Sequence, residues 1–125
     1  MIRRPFQPQF ELLILNGQKI HTVRPVPKRM PQIGEEFVGY VWTGKPYRSP
    51  QREIFRSTVS MVLFVELACN DGWLWIDGKR ITEIESANYF AWGDGFKDFR
   101  EMLEWFRDHH GLPFTGIIIH WRKLL

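Results

Sequence analysis

The stretch STVSMVLFVEL, residues 57–67, decides the class of fold that this chain can adopt. Side chains alternate between the two faces of a strand, and here both faces are apolar. One face would carry Val59, Met61, Leu63 and Val65, and the other Val62 and Phe64. A strand that is apolar on both faces has to be covered on both. We therefore predict that this segment is a central strand of a sheet.

Shorter patterns before and after it predict further strands. EFVGYVWT (residues 36–43) alternates, with Val38, Tyr40 and Trp42 on one face. WLWIDGKRIT (73–82) contains Asp77-Gly78, a hairpin turn signal between two short runs. TGIIIHWRKL (115–124) is predicted to be the last strand.

Two segments have the periodicity of helices. PQFELLILNG (8–17) places Phe10, Leu13 and Ile14 on one face and ends in a glycine. FKDFREMLEWFRDHHG (96–111) is the stronger pattern, because its apolar residues recur at i, i+3, i+4 and i+7. The predicted fold class is α+β, a small mixed β-barrel flanked by two main helices.

Length and composition limit the class of protein. With 125 residues, of which 44% are hydrophobic, the chain is expected to form one domain over residues 1–125. No apolar run approaches the roughly 20 residues of a membrane span, so we expect no membrane partner. No signal peptide is expected either. Cys69 is the only cysteine, which excludes an internal disulfide and fits a reducing cytoplasm.

Positive charge is concentrated in residues 45–56. This segment holds four basic residues, Lys45, Arg48, Arg52 and Arg56, against one acidic residue, Glu53. Its excess of +3 equals the net charge of the whole chain. Such a local excess suits a partner that carries phosphate, although a solvated hairpin tip has the same composition.

Aromatic residues lie close to these bases. Trp42 and Tyr47 could stack on nucleobases while Lys45, Arg48 and Arg52 meet phosphates. The alternative is a rigid loop between strands that is punctuated by prolines.

The segment GQKIHTVRP (17–25) holds a second candidate site. Lys19 and Thr22 would point to opposite faces of a regular strand, so they converge only if the chain turns after Gly17. A threonine hydroxyl is a poor nucleophile without a base, and a lysine is a base only if its pKa falls from about 10.4 towards neutrality. Arg24 could lower that pKa or hold a phosphate. An exposed strand end explains the same residues without any chemistry.

Asp94, in FAWGDGF, precedes the longer predicted helix. A natural interpretation is the N-cap of that helix. The functional interpretation is a general acid or a hydrogen-bond acceptor for substrate.

The histidines do not indicate a metal centre. No pair has His-x-x-x-His spacing, so no metal is expected, and nothing in the sequence calls for another cofactor. His21 is read as structural, and His120 as half buried in the last strand.

Several of these motifs together resemble one family. LNGQKIHTVRP, PQIGEEFVGYVWTG and FAWGDGFKDFREMLEWFRDHHG followed by FTGIIIHW resemble an ASCH domain of the PUA-like superfamily over residues 10–121. The loop TGKPYRSPQ resembles ASCH proteins of phages and prophage-bearing bacteria.

The resemblance implies a small PUA-like β-barrel with a cleft beside the lysine-threonine strand. ASCH domains are proposed to bind RNA, and one bacterial subgroup hydrolyses 4-acetylcytidine with a lysine base, a threonine nucleophile and a glutamate. Lys19 and Thr22 match the first two of these residues, and the glutamate falls on Asp94, which is one methylene shorter. Another ASCH protein cleaves RNA.

Two hypotheses about function follow from these patterns and the resemblance. In the first, the cleft binds RNA or a nucleotide through Lys19, Arg24, Lys45, Arg48 and Arg52, with Trp42, Tyr47 or Trp92 stacked on a base. In the second, Lys19, Thr22 and Asp94 hydrolyse an N-acylated nucleoside, or the protein is a ribonuclease. The oligomeric state is left open.

Overall fold

The computed structural model describes residues 1–121, and its sheet is built around one long strand. This strand, β4 (Gln51–Cys69), has 19 residues. Its first half pairs antiparallel with β3 (Glu36–Trp42). Its second half pairs with β7 (Phe114–Trp121) on one edge and with β5 (Gly72–Ile76) on the other. The prediction of a central strand is confirmed.

The apolar side chains of β4 are not covered equally. Val59 and Val65 are buried completely or almost so, whereas Met61 and Phe64 remain 44% and 56% exposed. A register shift between Val59 and Met61 interrupts the pairing with β7 and, with it, the simple alternation expected from the sequence. Met61 and Phe64, which strand alternation places on opposite faces, therefore leave apolar side chains of β4 exposed.

Three strands lie at the margins of the sheet. They are β1 (Ile2–Pro5), parallel to β3, β2 (His21–Arg24), antiparallel to β7, and β6 (Lys79–Arg80), antiparallel to β5. Within residues 1–121 each of them has one strand partner, so hydrogen bonding leaves the seven-stranded sheet open. Residues 122–124 of the predicted last strand lie outside the described residues.

The hairpin predicted at Asp77-Gly78 is confirmed and joins β5 to β6. Both turn residues have positive φ, 52° at Asp77 and 82° at Gly78. This is the backbone conformation of a type I′ turn, in which glycine and aspartate are favoured.

Both predicted helices are present. A 3-10 turn (Pro8–Phe10) leads into α1 (Glu11–Leu15), and the longer α3 spans Phe99–His109. Asp98 caps α3, since its carboxylate accepts a hydrogen bond of 2.9 Å from the backbone N–H of Glu101. The N-cap expected at Asp94 is thus wrong by four residues.

A third helix, α2 (Ile84–Gly93), was not predicted. Its apolar residues do not form one stripe, because Ile84, Tyr89 and Trp92 are exposed while Ala87 and Ala91 are buried. Weak amphipathicity removes the periodic signal on which helix prediction depends. Residues 1–121 form an α+β fold with three α-helices, and none of these helices is long and apolar enough to cross a membrane.

Aromatic rings fix the N-terminal segment to the sheet. Phe6, just after β1, packs edge-on against Phe55 and Trp121, with ring centroids 5.7 and 6.1 Å apart. Phe37 stacks on Trp121 at 5.5 Å. These contacts bring Phe6 beside the end of β2, where the candidate site lies.

We predict that Gly116→Ala destabilises the fold, because the end of the paired strand β2 lies directly against this glycine of β7. A methyl group there would overlap the backbone carbonyl of Arg24 and approach the Phe114 ring to 2.9 Å. Backbone cannot move aside cheaply, so the free energy of unfolding should fall by about 2 to 3 kcal/mol in urea denaturation. Thr115→Ala, at the exposed neighbour, is the control. Equal stability of the two variants would contradict the close approach.

Candidate functional site

A tight turn between α1 and β2 aims Lys19 inward. Gly17 has a φ of 87°, which reverses the chain after the helix. The backbone N–H of Lys19 then bonds to the carbonyl of Leu13, and that of Ile20 to the carbonyl of Gly93. Lys19 is consequently 3% exposed, Thr22 is 4% exposed, and both residues line the same cavity.

Asp94 meets Lys19 from the other side. It follows the last residue of α2, and Gly95 beyond it has a φ of 102°. The Asp94 carboxylate lies 3.2 Å from Lys19 Nζ and 3.1 Å from His21 Nδ1. Lys19 Nζ also donates to the backbone carbonyl of Asp94. The Asp94 carboxylate therefore contacts the side chains of Lys19 and His21 instead of capping a helix.

Arg24 is a second cation in this group of polar side chains. Its Nε donates to Thr22 Oγ1 at 3.0 Å, and another guanidinium nitrogen donates to the Pro5 carbonyl at 2.6 Å. The guanidinium lies 4.7 Å from the centroid of the Phe6 ring, and Lys19 Nζ lies 4.8 Å from that of Phe10. These ring faces attract the two cations in a place where water is largely excluded.

Burial changes the acid-base properties of both cations. The pKa of Lys19 is lowered, mainly because burial disfavours the ammonium and in part because Arg24 repels it, while Asp94 opposes the change. Burial also lowers the pKa of Arg24 to about 10, so Arg24 keeps its charge at neutral pH. Arg24, which stays charged, thus lies near Lys19, whose amine loses its proton more easily than that of a free lysine.

These residues line one cavity of about 520 Å³. Its floor carries Lys19, Thr22, Arg24 and Asp94, and its sides carry Phe6, Phe10, Trp42, Tyr47, Trp105 and His110. A volume of this size accepts a nucleoside-sized ligand.

The aromatic candidates separate into two groups. Trp42 and Tyr47 line the cavity, as the sequence hypothesis requires, and their ring centroids are 5.2 Å apart. Trp92 does not: it lines a different cavity on the other side of His21. Its location on the unpredicted helix α2 explains the separation.

The basic candidates of the 45–56 segment are dispersed. Lys45 and Arg48 are exposed on the loop between β3 and β4, near the cavity mouth formed by Gly44, Pro46 and Tyr47. Arg52 forms a bidentate ion pair with Glu11 at 2.7 and 2.9 Å. Arg56 pairs with Glu36 and Glu53. The +3 excess of the segment is therefore partly neutralised by carboxylates from outside it.

Sequence reasoning missed several residues of the site. His21, interpreted as structural, is one of the two partners of the Asp94 carboxylate. Phe6 and Trp105 line the cavity from distant parts of the chain, and no local pattern distinguishes them from core residues. Within residues 1–121, no three side chains of metal-ligating type form a group that could hold an ion.

We predict that Lys19 and Asp94 are energetically coupled. Asp94→Asn leaves the buried Lys19 ammonium without its counter-charge and should cost about 3 kcal/mol of unfolding free energy at neutral pH. In a Lys19→Met background the same change should cost much less, because no buried cation remains. Urea denaturation of the four proteins measures the coupling.

The exposed pair Arg100 and Glu104, 3.3 Å apart on α3, is the matched control. Its double-mutant cycle should give a coupling below about 0.5 kcal/mol. A Lys19–Asp94 cycle that is equally additive would contradict the electrostatic interpretation of the buried contact.

Comparison with known proteins adds no guidance about this site. No protein-family model, curated protein or solved structure matches the chain. The ASCH resemblance stays an expectation that rests on the motifs quoted above, and the function has to be inferred from the chemistry of the cavity.

Proposed function

We propose that the protein binds RNA or a nucleotide in the cavity of Lys19, Thr22 and Arg24. One observation carries this proposal: the cationic groups of Lys19 and Arg24 and the aromatic rings of Trp42 and Tyr47 line the same cavity. Phosphate requires the first and a nucleobase the second. Asp94 is the single acidic side chain that lines the cavity among the described residues, and it is already bonded to Lys19.

The rim is suited to stacking. Tyr47 is 86% exposed, and its ring leans on Trp42 at 47° between planes. The backbone at Tyr47 is left-handed, with a φ of 64°, which costs a non-glycine residue about 1 kcal/mol. Such strain is typical of residues held in place for binding. A base inserted beside these rings would bury apolar surface that the free protein leaves exposed.

Charge extends from the cavity towards the loop. Arg24 retains spare N–H donors beyond its bonds to Thr22 and Pro5. Lys45 and Arg48 form no ion pair within residues 1–121, in contrast to Arg52 and Arg56. A backbone that leaves the cavity over this loop would meet these two cations next.

The proposal includes membership of the ASCH family and the PUA-like barrel that it implies. The motif Gly-x-Lys-x-x-Thr-x-Arg supports it because the lysine, threonine and arginine share one cavity. A seven-stranded sheet with α-helices, which the structure has within residues 1–121, is compatible with this architecture. A cytoplasmic location, expected from the single cysteine, suits a partner of this kind.

We predict that Arg48→Gln weakens binding of a short single-stranded RNA, whereas Arg52→Gln leaves it nearly unchanged. Both variants lose one charge, but Arg52 is occupied by Glu11. The Arg48 variant should also reduce the slope of log affinity against log salt by about 0.7, the release expected for one phosphate contact on a single strand. Fluorescence anisotropy over a salt series measures both quantities.

The two variants together make the RNA test decisive. Equal effects of Arg48→Gln and Arg52→Gln would mean that net charge, not the loop, governs binding. Absence of binding by the wild type at low salt would reject the RNA proposal. Recovery of intact RNA after the titration distinguishes binding from cleavage.

A second candidate function, amide hydrolysis on an N-acylated nucleoside, is favoured by the hydrogen bonds of Lys19. A neutral amine has two N–H groups and one lone pair. The two bonds to the Asp94 carbonyl and carboxylate use both N–H groups. The lone pair is then left to accept a proton from a group in the cavity, and the lowered pKa of Lys19 makes this neutral form easier to reach than in a free lysine.

Thr22 has the complementary arrangement. Its oxygen accepts from Arg24 Nε, so its own hydrogen is available to a base and Arg24 stabilises negative charge on the oxygen. Attack on the acyl carbon would form an ester on Thr22 and release the nucleoside amine, which takes the proton from Lys19. Water then cleaves the ester and releases the carboxylic acid.

We predict that the wild type deacetylates 4-acetylcytidine with a rate that rises with pH through the lowered pKa of Lys19, because the neutral amine is the base. Thr22→Ala should lose at least about 100-fold in kcat, and Lys19→Arg should be inactive because arginine stays protonated. Chromatographic detection of cytidine measures the rate. A Thr22→Ala protein that still turns over would reject the assigned nucleophile.

A further inference from the structure

A second cavity of about 340 Å³ lies on the other side of His21. Helix α2 forms one wall through Phe90 and Trp92, and the sheet forms the other through Leu63 and Ile118. Its volume is at the lower end of the range that small-molecule sites occupy. Neither the RNA proposal nor the hydrolysis proposal uses it.

The histidine between the two cavities has an unused nitrogen. His21 is 2% exposed, and its Nδ1 contacts the Asp94 carboxylate. A carboxylate only accepts, so Nδ1 donates to it, and in the tautomer that has its one proton on Nδ1, Nε2 is an acceptor. Within residues 1–121, Nε2 has no hydrogen-bond partner, yet no buried side-chain nitrogen or oxygen is left unsatisfied. Nε2 must therefore be open to the second cavity, which His21 lines.

The second cavity differs from the first in charge. None of the described residues that line it is acidic, lysine or arginine. Its other histidine, His120, lies 4.8 Å from His21 between ring centroids, and burial together with His21 lowers the pKa of His120 to about 4. His120 is thus uncharged at neutral pH. A phosphate would find no counter-charge here, in contrast to the cavity of Lys19 and Arg24.

The mouth of the cavity is aromatic. Trp92 and Tyr89 are 47% and 74% exposed, although both belong to a helix whose other face is buried. Indole and phenol rings at a cavity mouth give flat apolar surface on which a planar ligand can lie. Gln18 Nε2 donates to the Trp92 carbonyl, and His21 Nε2 is a buried acceptor in the wall of this cavity.

We propose that this second cavity binds an uncharged heteroaromatic ring with an N–H donor, such as a free purine base, which stacks at Trp92 and donates to His21 Nε2. The aromatic walls select a planar ring, the acceptor selects a donor, and the absence of lining cations selects against a phosphate. Because His21 also holds Asp94, a donor on Nε2 fixes the proton on Nδ1 and strengthens the contact with the first cavity.

Gly93→Ala tests the acceptor directly. A methyl group at position 93 would lie 3.2 Å from His21 Nε2 and 3.6 Å from Ile20 Cγ1, so it shields the nitrogen. Titration of the full chain with adenine, followed by histidine side-chain ¹⁵N NMR and calorimetry, should shift His21 and His120 in the wild type. Gly93→Ala should weaken adenine binding roughly tenfold. Trp73→Ala, at an exposed tryptophan outside both cavities, should not change it.

Several outcomes would overturn the proposal. One is the absence of His21 and His120 shifts in the wild type up to the solubility limit of adenine, and another is unchanged affinity in a folded Gly93→Ala protein. If Gly93→Ala fails to fold, Trp92→Ala decides, since unchanged affinity without the indole rejects the stacking site. AMP that shifts His21 and His120 as strongly as adenine would reject the preference for an uncharged ligand. Adenine binding is independent of the RNA result, so the two proposals fail separately.

Discussion

The Asp94 carboxylate, buried between Lys19 and His21, is the interaction on which both cavities depend. A carboxylate at 3% exposure needs partners, because an unpaired buried charge costs several kcal/mol. Lys19 supplies the counter-charge on one side and His21 supplies a hydrogen bond on the other. The three groups tie the turn after α1, the start of β2 and the end of α2 to one another. Backbone hydrogen bonds from Lys19 to Leu13 and from Ile20 to Gly93 join the same segments.

This contact also sets the chemistry of each side. Towards the larger cavity, the competition between burial and the carboxylate leaves Lys19 with a lowered pKa next to a charged Arg24. Towards the smaller cavity, the same carboxylate orients the imidazole so that one nitrogen is left over. Asp94 thus contacts Lys19 of the larger, cationic cavity and His21 of the smaller, uncharged cavity.

Ion pairing decides which cations of the basic segment are available. By sequence, Lys45, Arg48, Arg52 and Arg56 form one group, but Arg52 and Arg56 face carboxylates on α1, β3 and β4. Exposed ion pairs contribute little to stability. Their effect on binding is larger, since a guanidinium already held by a carboxylate is a poor phosphate ligand. Among the four cations of this segment, only Lys45 and Arg48, at the loop tip, are therefore left without an ion pair within residues 1–121.

The sequence by itself determined the central strand β4, the helices α1 and α3 and the hairpin at Asp77-Gly78, because each depends on periodicity or turn preference within a few neighbouring residues. It also identified Lys19, Thr22, Arg24, Trp42 and Tyr47, which share a cavity. Only the tertiary structure decided that Asp94 pairs with Lys19 and His21, that Arg52 is held by Glu11 and that Trp92 belongs to a second cavity. These outcomes depend on burial and on contacts between residues up to 75 positions apart, such as Lys19 and Asp94, and local patterns do not encode such contacts.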